Sequence, residues 1–121
     1  MKINFHIKTT NHDLTPDIVS EVHEKMGVIE KYINISGDTE VLAEVEIGLL
    51  SNHHKKGDIY RSEINLKYDG ERYRATSENQ SISESLDSLK DEISRQLAKH
   101  KDRKNNFFLK GAREIKRILK R

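Results

Sequence analysis

Ten Lys and Arg residues fall within residues 99–121, where Asp102 and Glu114 are the only acids. This segment carries a net charge of +8, whereas the first 98 residues hold twelve Lys or Arg against eighteen Asp or Glu, a net charge of −6. Several cations that reach one phosphate backbone bind it by releasing counterions, and the affinity scales with the number of phosphates neutralised. The charge pattern therefore predicts a polyanionic partner that is approached by one end of the molecule.

The candidate contact residues form two groups. The first lies in the stretch AKHKDRK, and the second follows in NNFFLKGAREIKRILKR. A basic helix end is often only a solvated surface, so composition alone leaves that alternative open. The predicted contacts are Lys99, His100, Lys101, Arg103 and Lys104 in the first group, and Lys110, Arg113, Lys116 and Arg117 in the second.

A helix must position the first group. Apolar residues recur before it at intervals of three and four: Ile82, Leu86, Leu89, Ile93 and Leu97. Residues at this spacing share one face of a helix and can be buried together. Ser81 and Glu84 have the spacing of a capping box, which defines the helix start. The cations then lie at the C-terminal end, where the helix dipole favours positive charge.

Four strands are predicted in the rest of the chain. Residues 2–8 and 41–49 alternate apolar and polar side chains, as half-buried strands do. Two further alternating segments flank Asp69 and Gly70, and an Asp-Gly pair in that setting is a strong hairpin signal. Tyr60 and Tyr73 are expected to face the core, which leaves Tyr68 as the candidate for stacking on an RNA base.

Another helix is predicted between the first two strands. Thr15 as N-cap and Pro16 in the first helical position predict its start, and apolar residues continue at helical spacing to about Ile33. The order β-α-β-β-β-α predicts an α+β two-layer sandwich, a four-stranded sheet with both helices on one face. The first two strands, joined through a helix, are expected to be parallel, and the later strands antiparallel.

We expect one domain, residues 1–104, followed by a basic amphipathic tail, residues 105–121. The tail has apolar residues at helical spacing, including Phe108 and Ile115. These could pack on the domain, form a dimer, dock in a groove of a larger partner, or lie on an anionic membrane. The alternative to a nucleic-acid-binding domain is therefore a protein-interaction module whose tail recruits a partner or an anionic membrane surface.

Other kinds of site have weaker support. The chain has no Cys, which excludes thiolate nucleophiles and thiolate metal ligands. His53 and His54 are adjacent but lack a third ligand at a defined spacing, so no metal site is predicted. His12 and Asp13 fall in a predicted loop with no enclosing pocket, so we expect neither an enzyme nor a cofactor.

The location and assembly of the protein can also be predicted. No apolar run approaches the roughly 20 residues that span a bilayer. A strand pattern begins directly after Met1, which leaves no space for a signal peptide. We expect a cytoplasmic protein that is monomeric when free.

Three stretches together resemble the ribosome hibernation promoting factor and ribosome-associated inhibitor family. They are LTPDIVSEVHEKMGVIEKY at residues 14–32, the Asp69–Gly70 hairpin, and SLKDEISRQLAKHK at residues 88–101. The resemblance covers roughly residues 1–104. The chain is similar to the short form of the family, with a basic appendix. It implies binding to ribosomal RNA of the small subunit, in the channel of messenger RNA and transfer RNA anticodons. It also implies that binding stops translation in starvation or stationary phase.

The resemblance also implies site residues in both helices. The family's basic helix positions fall on Lys25, Lys31 and Arg95, in addition to Lys99 and Lys101. The chain departs from the family pattern at three positions: Val28, Ser83 and Glu92. These departures move the expected RNA contacts toward the end of the second helix and the tail.

Overall fold

The structure, a computed structural model, describes residues 3–33, 40–50 and 57–119, the last three of these by backbone alone. Four strands, two α-helices and one 3₁₀ helix make up the described chain. The strands are β1 (Ile3–Thr10), β2 (Val41–Leu50), β3 (Ile59–Tyr68) and β4 (Glu71–Asn79), and the helices are α1 (Pro16–Met26), the 3₁₀ helix (Gly27–Tyr32) and α2 (Ile82–Leu119).

The strands form one mixed sheet in the order β1-β2-β3-β4. β1 pairs with β2 in parallel, with Ile3 opposite Val41. β3 is antiparallel to both β2 and β4. This confirms the predicted α+β sandwich and its β-α-β-β-β-α order.

One core fills the space between the sheet and the helices. Each strand contributes alternate side chains, so the opposite face of the sheet is left for polar residues. The helices contribute residues spaced three or four apart. The buried apolar set includes Phe5, Val45, Ile47, Ile64, Leu66, Tyr73, Val22, Met26, Ile29, Leu86, Leu89, Ile93 and Leu97.

The first helical segment begins as predicted and ends differently. The Thr15 hydroxyl accepts a hydrogen bond from the backbone N–H of Ile18 at 3.3 Å, and Pro16 opens α1. The α-helix stops at Met26, and the chain continues to Tyr32 as a 3₁₀ helix. The helical turns thus extend nearly to Ile33 as predicted, but the spacing did not reveal that the last six residues form a 3₁₀ helix. The tighter helix begins at Gly27, a residue with low α-helix propensity. The sequence Ser36, Gly37 and Asp38 is a turn signal, but it lies outside the described residues.

α2 has the predicted start and a much longer course. The Ser81 hydroxyl accepts from the N–H of Glu84 at 3.1 Å, which is the serine half of the capping box. The helix runs without a break through Lys104 to Leu119. The expectation that the helix closes near residue 104, with a short separate segment after it, was wrong. Residues 105–119 contain no Pro and many good helix formers, so nothing in them ends the helix.

Buried hydroxyls join α2 to the sheet. Ser62 on β3 and Ser85 on α2 are both fully buried, and their Oγ atoms lie 2.6 Å apart. The Ser62 hydroxyl also contacts the carbonyl of Ser85 at 3.2 Å, and the Ser85 hydroxyl donates to the carbonyl of Ser77 on β4 at 3.2 Å. A buried polar pair is tolerated here because both hydroxyls have partners.

None of the helices in the described part of the chain combines the length and the apolar character needed to span a bilayer.

The core leads to a prediction about the C-terminal half of α2. All side chains from residue 101 to residue 116 are exposed, and among the side chains that the structure describes the last buried apolar one is Leu97. A chain ending at Lys104 should therefore retain cooperative thermal unfolding with little change in midpoint. A control chain ending at Gln96 loses Leu97 and His100 and should unfold at a lower temperature or lose cooperativity. Loss of cooperativity in the longer truncation would show that residues 105–121 stabilise the domain.

Candidate nucleic-acid interface

The end of the buried part of α2 meets the β3–β4 hairpin. β4 has nine residues, about 30 Å at 3.3 Å per residue, and α2 returns along it at 1.5 Å per residue. About twenty helical residues cover that distance, which brings His100 to the hairpin. Asp69 and Gly70 form the turn, with φ of 53° and 78°, as a two-residue type I′ turn requires.

Asp69 holds two residues of the predicted site. Its Oδ2 accepts from Nζ of Lys104 at 2.9 Å and lies 3.1 Å from Nε2 of His100. Since an ionised carboxylate only accepts, His100 donates in this contact. The hydrogen bonds from Lys104 and His100 lower the pKa of Asp69, and the bond to Asp69 raises the pKa of Lys104. We call Asp69 and Glu71, together with the basic side chains of α2 that they contact, the hairpin clamp.

Glu71 forms the second part of the hairpin clamp. Its Oε2 accepts from the hydroxyl of Tyr73 at 2.9 Å and lies 3.5 Å from Nη2 of Arg103. The same oxygen is 3.7 Å from Nδ1 of His100. Burial and the bond to Glu71 raise the pKa of Tyr73 to about 12, so the phenol remains a donor. Two acids therefore neutralise part of the basic helix end.

The hairpin clamp separates the predicted contacts into different environments. His100 is only 8% exposed, and its ring packs edge-on against Tyr68 at 5.5 Å and Tyr73 at 5.7 Å. Its contacts are within the chain, so we assign it a positioning role. The side chains of Arg103 and Lys104 are 67% and 63% exposed, so both can also reach an external phosphate.

Lys25 is held between α1 and α2. Its Nζ donates to the hydroxyl of Ser83 at 2.6 Å and to the Ser83 carbonyl at 2.9 Å. It also lies 3.0 Å from Asp87 and 3.2 Å from Glu21. Burial acts to lower the pKa of Lys25, but the bonds to Asp87 and Glu21 outweigh it and the pKa is raised. Contact with phosphate would require Lys25 to leave this set of acceptors.

Arg95 is paired with Glu92. Its Nε and Nη2 donate to the two carboxylate oxygens at 3.1 and 2.7 Å, and these bonds lower the pKa of Glu92. The partner of Arg95 is thus the acid three residues before it and not Asp91, the acid four residues before it. Glu92 is oriented by a further bond from Gln96 at 3.1 Å, whereas Asp91 lies 3.8 Å from Lys90. Two residues that depart from the family pattern thus form hydrogen bonds with two predicted RNA contacts. Ser83 bonds to Lys25, and Glu92 bonds to Arg95.

The remaining predicted contacts face solvent. Lys99 is exposed on the same helix as Glu92 and contributes to the lowered pKa of that carboxyl. Lys31 is exposed, with Nζ 5.1 Å from the ring centroid of Tyr32. The side chain of Arg117 lies outside those described. Four further cations are exposed and have no ion pair with another described side chain: Lys101, Lys110, Arg113 and Lys116.

The structure also revises the tyrosine assignments. Tyr68 is only 8% exposed, so the proposal that it stacks on a base was wrong. It is the last residue of β3 and lies on the core face of the sheet, as do Leu66 and Ile64 on the same strand. Tyr73 is buried as expected, whereas Tyr60 is only half-buried and lies 6.0 Å from the ring of His12.

No group of three potential metal ligands occurs among residues 3–33, 40–50 and 57–119. His53 and His54 lie outside these ranges. His12 contacts the carbonyl of Asp13 through Nδ1 at 2.8 Å on an exposed loop.

Asp69 and Glu71 were not predicted from the sequence as parts of the site. The sequence does contain the information. The hairpin at Asp69, with a rise of about 3.3 Å per strand residue and about 1.5 Å per helix residue, places residue 100 next to residue 69.

A mixed four-stranded sheet covered on one face by two helices, with exposed cations along the end of the longer helix, defines a small α+β domain with a basic terminus. The model of the Sigma 54 modulation protein / S30EA ribosomal protein family matches residues 5–105. The chain belongs to this family, which confirms the resemblance found in the sequence.

Two curated relatives are named ribosome hibernation promotion factor. The Bacillus subtilis (strain 168) protein is 26% identical over 106 residues, which are 88% of this chain and 52% of that protein. The Lactococcus lactis subsp. cremoris (strain MG1363) protein is 29% identical over 103 residues, 85% of this chain and 52% of that protein. The chain thus spans about half the length of these relatives.

Two solved structures share the fold. The Thermus thermophilus Protein Y N-terminal domain has a TM-score of 0.66 at 22% identity, over 83% of this chain and 99% of that one. A ribosomal subunit interface protein from Coxiella burnetii has a TM-score of 0.59 at 19% identity, over 81% and 97% of the two chains.

The hairpin clamp predicts an acid-sensitive contribution to stability. The folded-state pKa of Asp69 is below its ordinary value of 3.8, so its stabilisation is present above that pH and is lost as the pH falls through the folded-state value. Asp69→Asn keeps a residue that tolerates positive φ but removes the charge. It should lower the free energy of unfolding near neutral pH and have no such effect at about pH 2.

Urea unfolding of the wild type and the Asp69→Asn variant at both pH values measures this difference. Asp102→Asn, an exposed change on α2, is the matched control and should be neutral at both. An Asp69→Asn effect that is equal at both pH values would contradict a charge-dependent clamp.

Proposed function

We propose that this protein binds the small ribosomal subunit in the cytoplasm and occupies the decoding region, where it excludes messenger RNA and transfer RNA. Family membership supports a ribosomal partner, and the curated relatives carry the name of hibernation factors. The observation that carries the proposal is the set of exposed cations that begins at the hairpin clamp and continues along α2.

Steric occupancy is the proposed mechanism of inhibition. Phosphate contacts fix the position of a protein on RNA without reading its sequence. Folded ribosomal RNA offers a distinctive shape, which would supply specificity. A translating ribosome needs the decoding region for messenger RNA and anticodons, so a protein bound there prevents initiation during dormancy or stationary phase.

The proposed contacts differ in how accessible they are to an RNA phosphate. Lys99 and Lys101 are exposed near the folded body, and Arg103 stays 67% exposed at 3.5 Å from Glu71 with no hydrogen bond to it, so these three are the principal contacts. Lys31 and Lys104 border the same end. The extension of α2, residues 105–119, adds further cations: Lys110, Arg113, Lys116 and Arg117. Lys25 and Arg95 are the weakest candidates because acids within the chain already hold them.

Reversing the principal cations should weaken ribosome binding. The triple variant Lys99→Glu, Lys101→Glu, Arg103→Glu should bind small subunits about tenfold or more weakly near physiological salt, because it removes three phosphate contacts. The slope of log affinity against log salt should fall by about three. Co-sedimentation at several salt concentrations measures both quantities.

The control has the same change in net charge on the open face of the sheet, Lys8→Glu, Lys67→Glu, Arg72→Glu. It should reduce binding much less. Equal losses in both triple variants would indicate that only net charge matters and would contradict the assigned surface.

Competition should identify the binding region. In a sucrose gradient, pre-bound messenger RNA with initiator transfer RNA should reduce co-sedimentation of the protein with small subunits. Messenger RNA without transfer RNA should compete less strongly. Simultaneous binding of all three at full occupancy would contradict the decoding region while leaving ribosome binding intact.

A second candidate is an interaction module that uses the extension of α2. Phe107 and Phe108 are 82% and 75% exposed, and Ile115 is 60% exposed, among cations. Basic amphipathic helices of this kind bind anionic membranes. Retained binding to phosphatidylserine vesicles, together with no co-sedimentation with ribosomes, would favour this function.

A further inference from the structure

A groove lies between the 3₁₀ helix and α2, beside the hairpin clamp. Its volume is about 470 Å³, within the roughly 300–1,000 Å³ of small-ligand pockets. The residues of the groove that argue for a ligand are Lys31, Tyr32, Lys101, Lys104, Asn105 and Phe108.

Three lysines line this groove, and they come from two elements. Lys31 belongs to the 3₁₀ helix, whereas Lys101 and Lys104 belong to α2. Lys104 uses one of its three N–H donors on Asp69, which fixes the position of its ammonium. The other two donors remain for an external acceptor. A phosphate is the ligand group that matches three lysines on a small concave surface.

Two aromatic rings line the same groove. Tyr32 is half-buried, and Phe108 is 75% exposed although it is a large apolar side chain. The rings come from the two elements that also supply the lysines. A flat π-surface beside several cations is the combination that binds single-stranded nucleic acid, since bases stack on aromatic rings while cations hold the backbone.

Polar groups for a base edge are also present. Asn105, which lines the groove, provides both an amide donor and a carbonyl acceptor. Base edges carry donors and acceptors that pair with such side chains. Aliphatic chains of a lipid would find no match for these groups.

We infer that this groove binds one unpaired nucleotide of RNA, with its base against Phe108 and Tyr32 and its phosphate at Lys101 and Lys104. This inference rests on the proposed RNA-binding function and adds a defined subsite to it. The exposed position of Phe108 then has a reason, because the side chain is covered when the base is bound. The contact of His100 with Asp69 holds α2 on the β3–β4 hairpin, which fixes the part of the helix that carries Lys101 and Lys104.

Paired variants separate stacking from electrostatics. Phe108→Leu keeps an apolar, helix-compatible side chain but removes the ring. Phe107→Leu is the matched control, since Phe107 is 82% exposed on the same turn and is not part of the groove. The probes are a fluorescent single-stranded RNA decamer and a decamer of the same backbone with abasic riboses.

Phe108→Leu should weaken binding of the decamer with bases by about tenfold, or ~1.4 kcal/mol, and leave binding of the abasic decamer unchanged. Phe107→Leu should change neither. Lys101→Met should weaken both, since it removes a phosphate contact. Equal effects of the two Phe variants, or an equal loss by Phe108→Leu on both decamers, would overturn the subsite.

Photo-crosslinking gives an independent readout. A decamer containing 4-thiouridine should crosslink to peptides that include residues 31–32 and 105–108. Crosslinks confined to other peptides would overturn the subsite.

The outcome is distinguishable from failure of the proposed function. If the wild type co-sediments with small subunits but Phe108→Leu binds the decamer like the wild type, only the subsite fails. If the wild type does not co-sediment with small subunits while the Phe108-specific decamer effect is present, the subsite is supported and the ribosomal function fails.

Discussion

The packing of α2 against the sheet determines where everything else in this molecule lies. Leu86, Leu89, Ile93 and Leu97 are fully buried, and the helix runs back along β4 from its cap at Ser81. Burial of four such side chains is worth several kcal/mol in total, at roughly 1.5–3 kcal/mol each. The buried apolar residues of α2 therefore stabilise the fold and also place the basic part of the helix next to the β3–β4 hairpin.

Acidic side chains around α2 determine which of its cations form ion pairs. Acids engage the cations that lie over the folded body: Glu92 pairs with Arg95, and Asp69 and Glu71 hold the turn after Leu97. Beyond the body the cations face solvent. The net charge of +2 thus describes neither part of the molecule, and a polyanion meets its strongest attraction at one end.

Most of the fold could be predicted because its signals are local. Alternation, helical spacing, the Thr15 cap and the Asp69–Gly70 turn each depend on a few neighbouring residues, and the structure contains all of them. The helix type after Gly27 was missed because α and 3₁₀ helices bury residues at nearly the same spacing. The end of α2 was misplaced because loss of the apolar stripe was taken as the end of the helix, although helix propensity persists.

The site was harder to predict than the fold. Which cations are free depends on contacts between residues far apart in sequence, such as Lys25 with Asp87 or Lys104 with Asp69. Spacing within one helix cannot reveal these partners. The groove beside Phe108 likewise requires two elements brought together by the core, and the sequence showed only that Phe108 is an apolar residue among cations.

The buried serine pair has a consequence for the axial position of α2. A stripe of similar leucines and isoleucines repeats about once per turn, so apolar packing discriminates weakly against sliding the helix by one turn, about 5.4 Å. Hydrogen bonds are directional and short-ranged. The 2.6 Å contact between Ser62 and Ser85 exists in one alignment only, so it sets the register of the helix on the sheet. Through that register, two small hydroxyls near the start of α2 determine how far along the molecule its cations emerge.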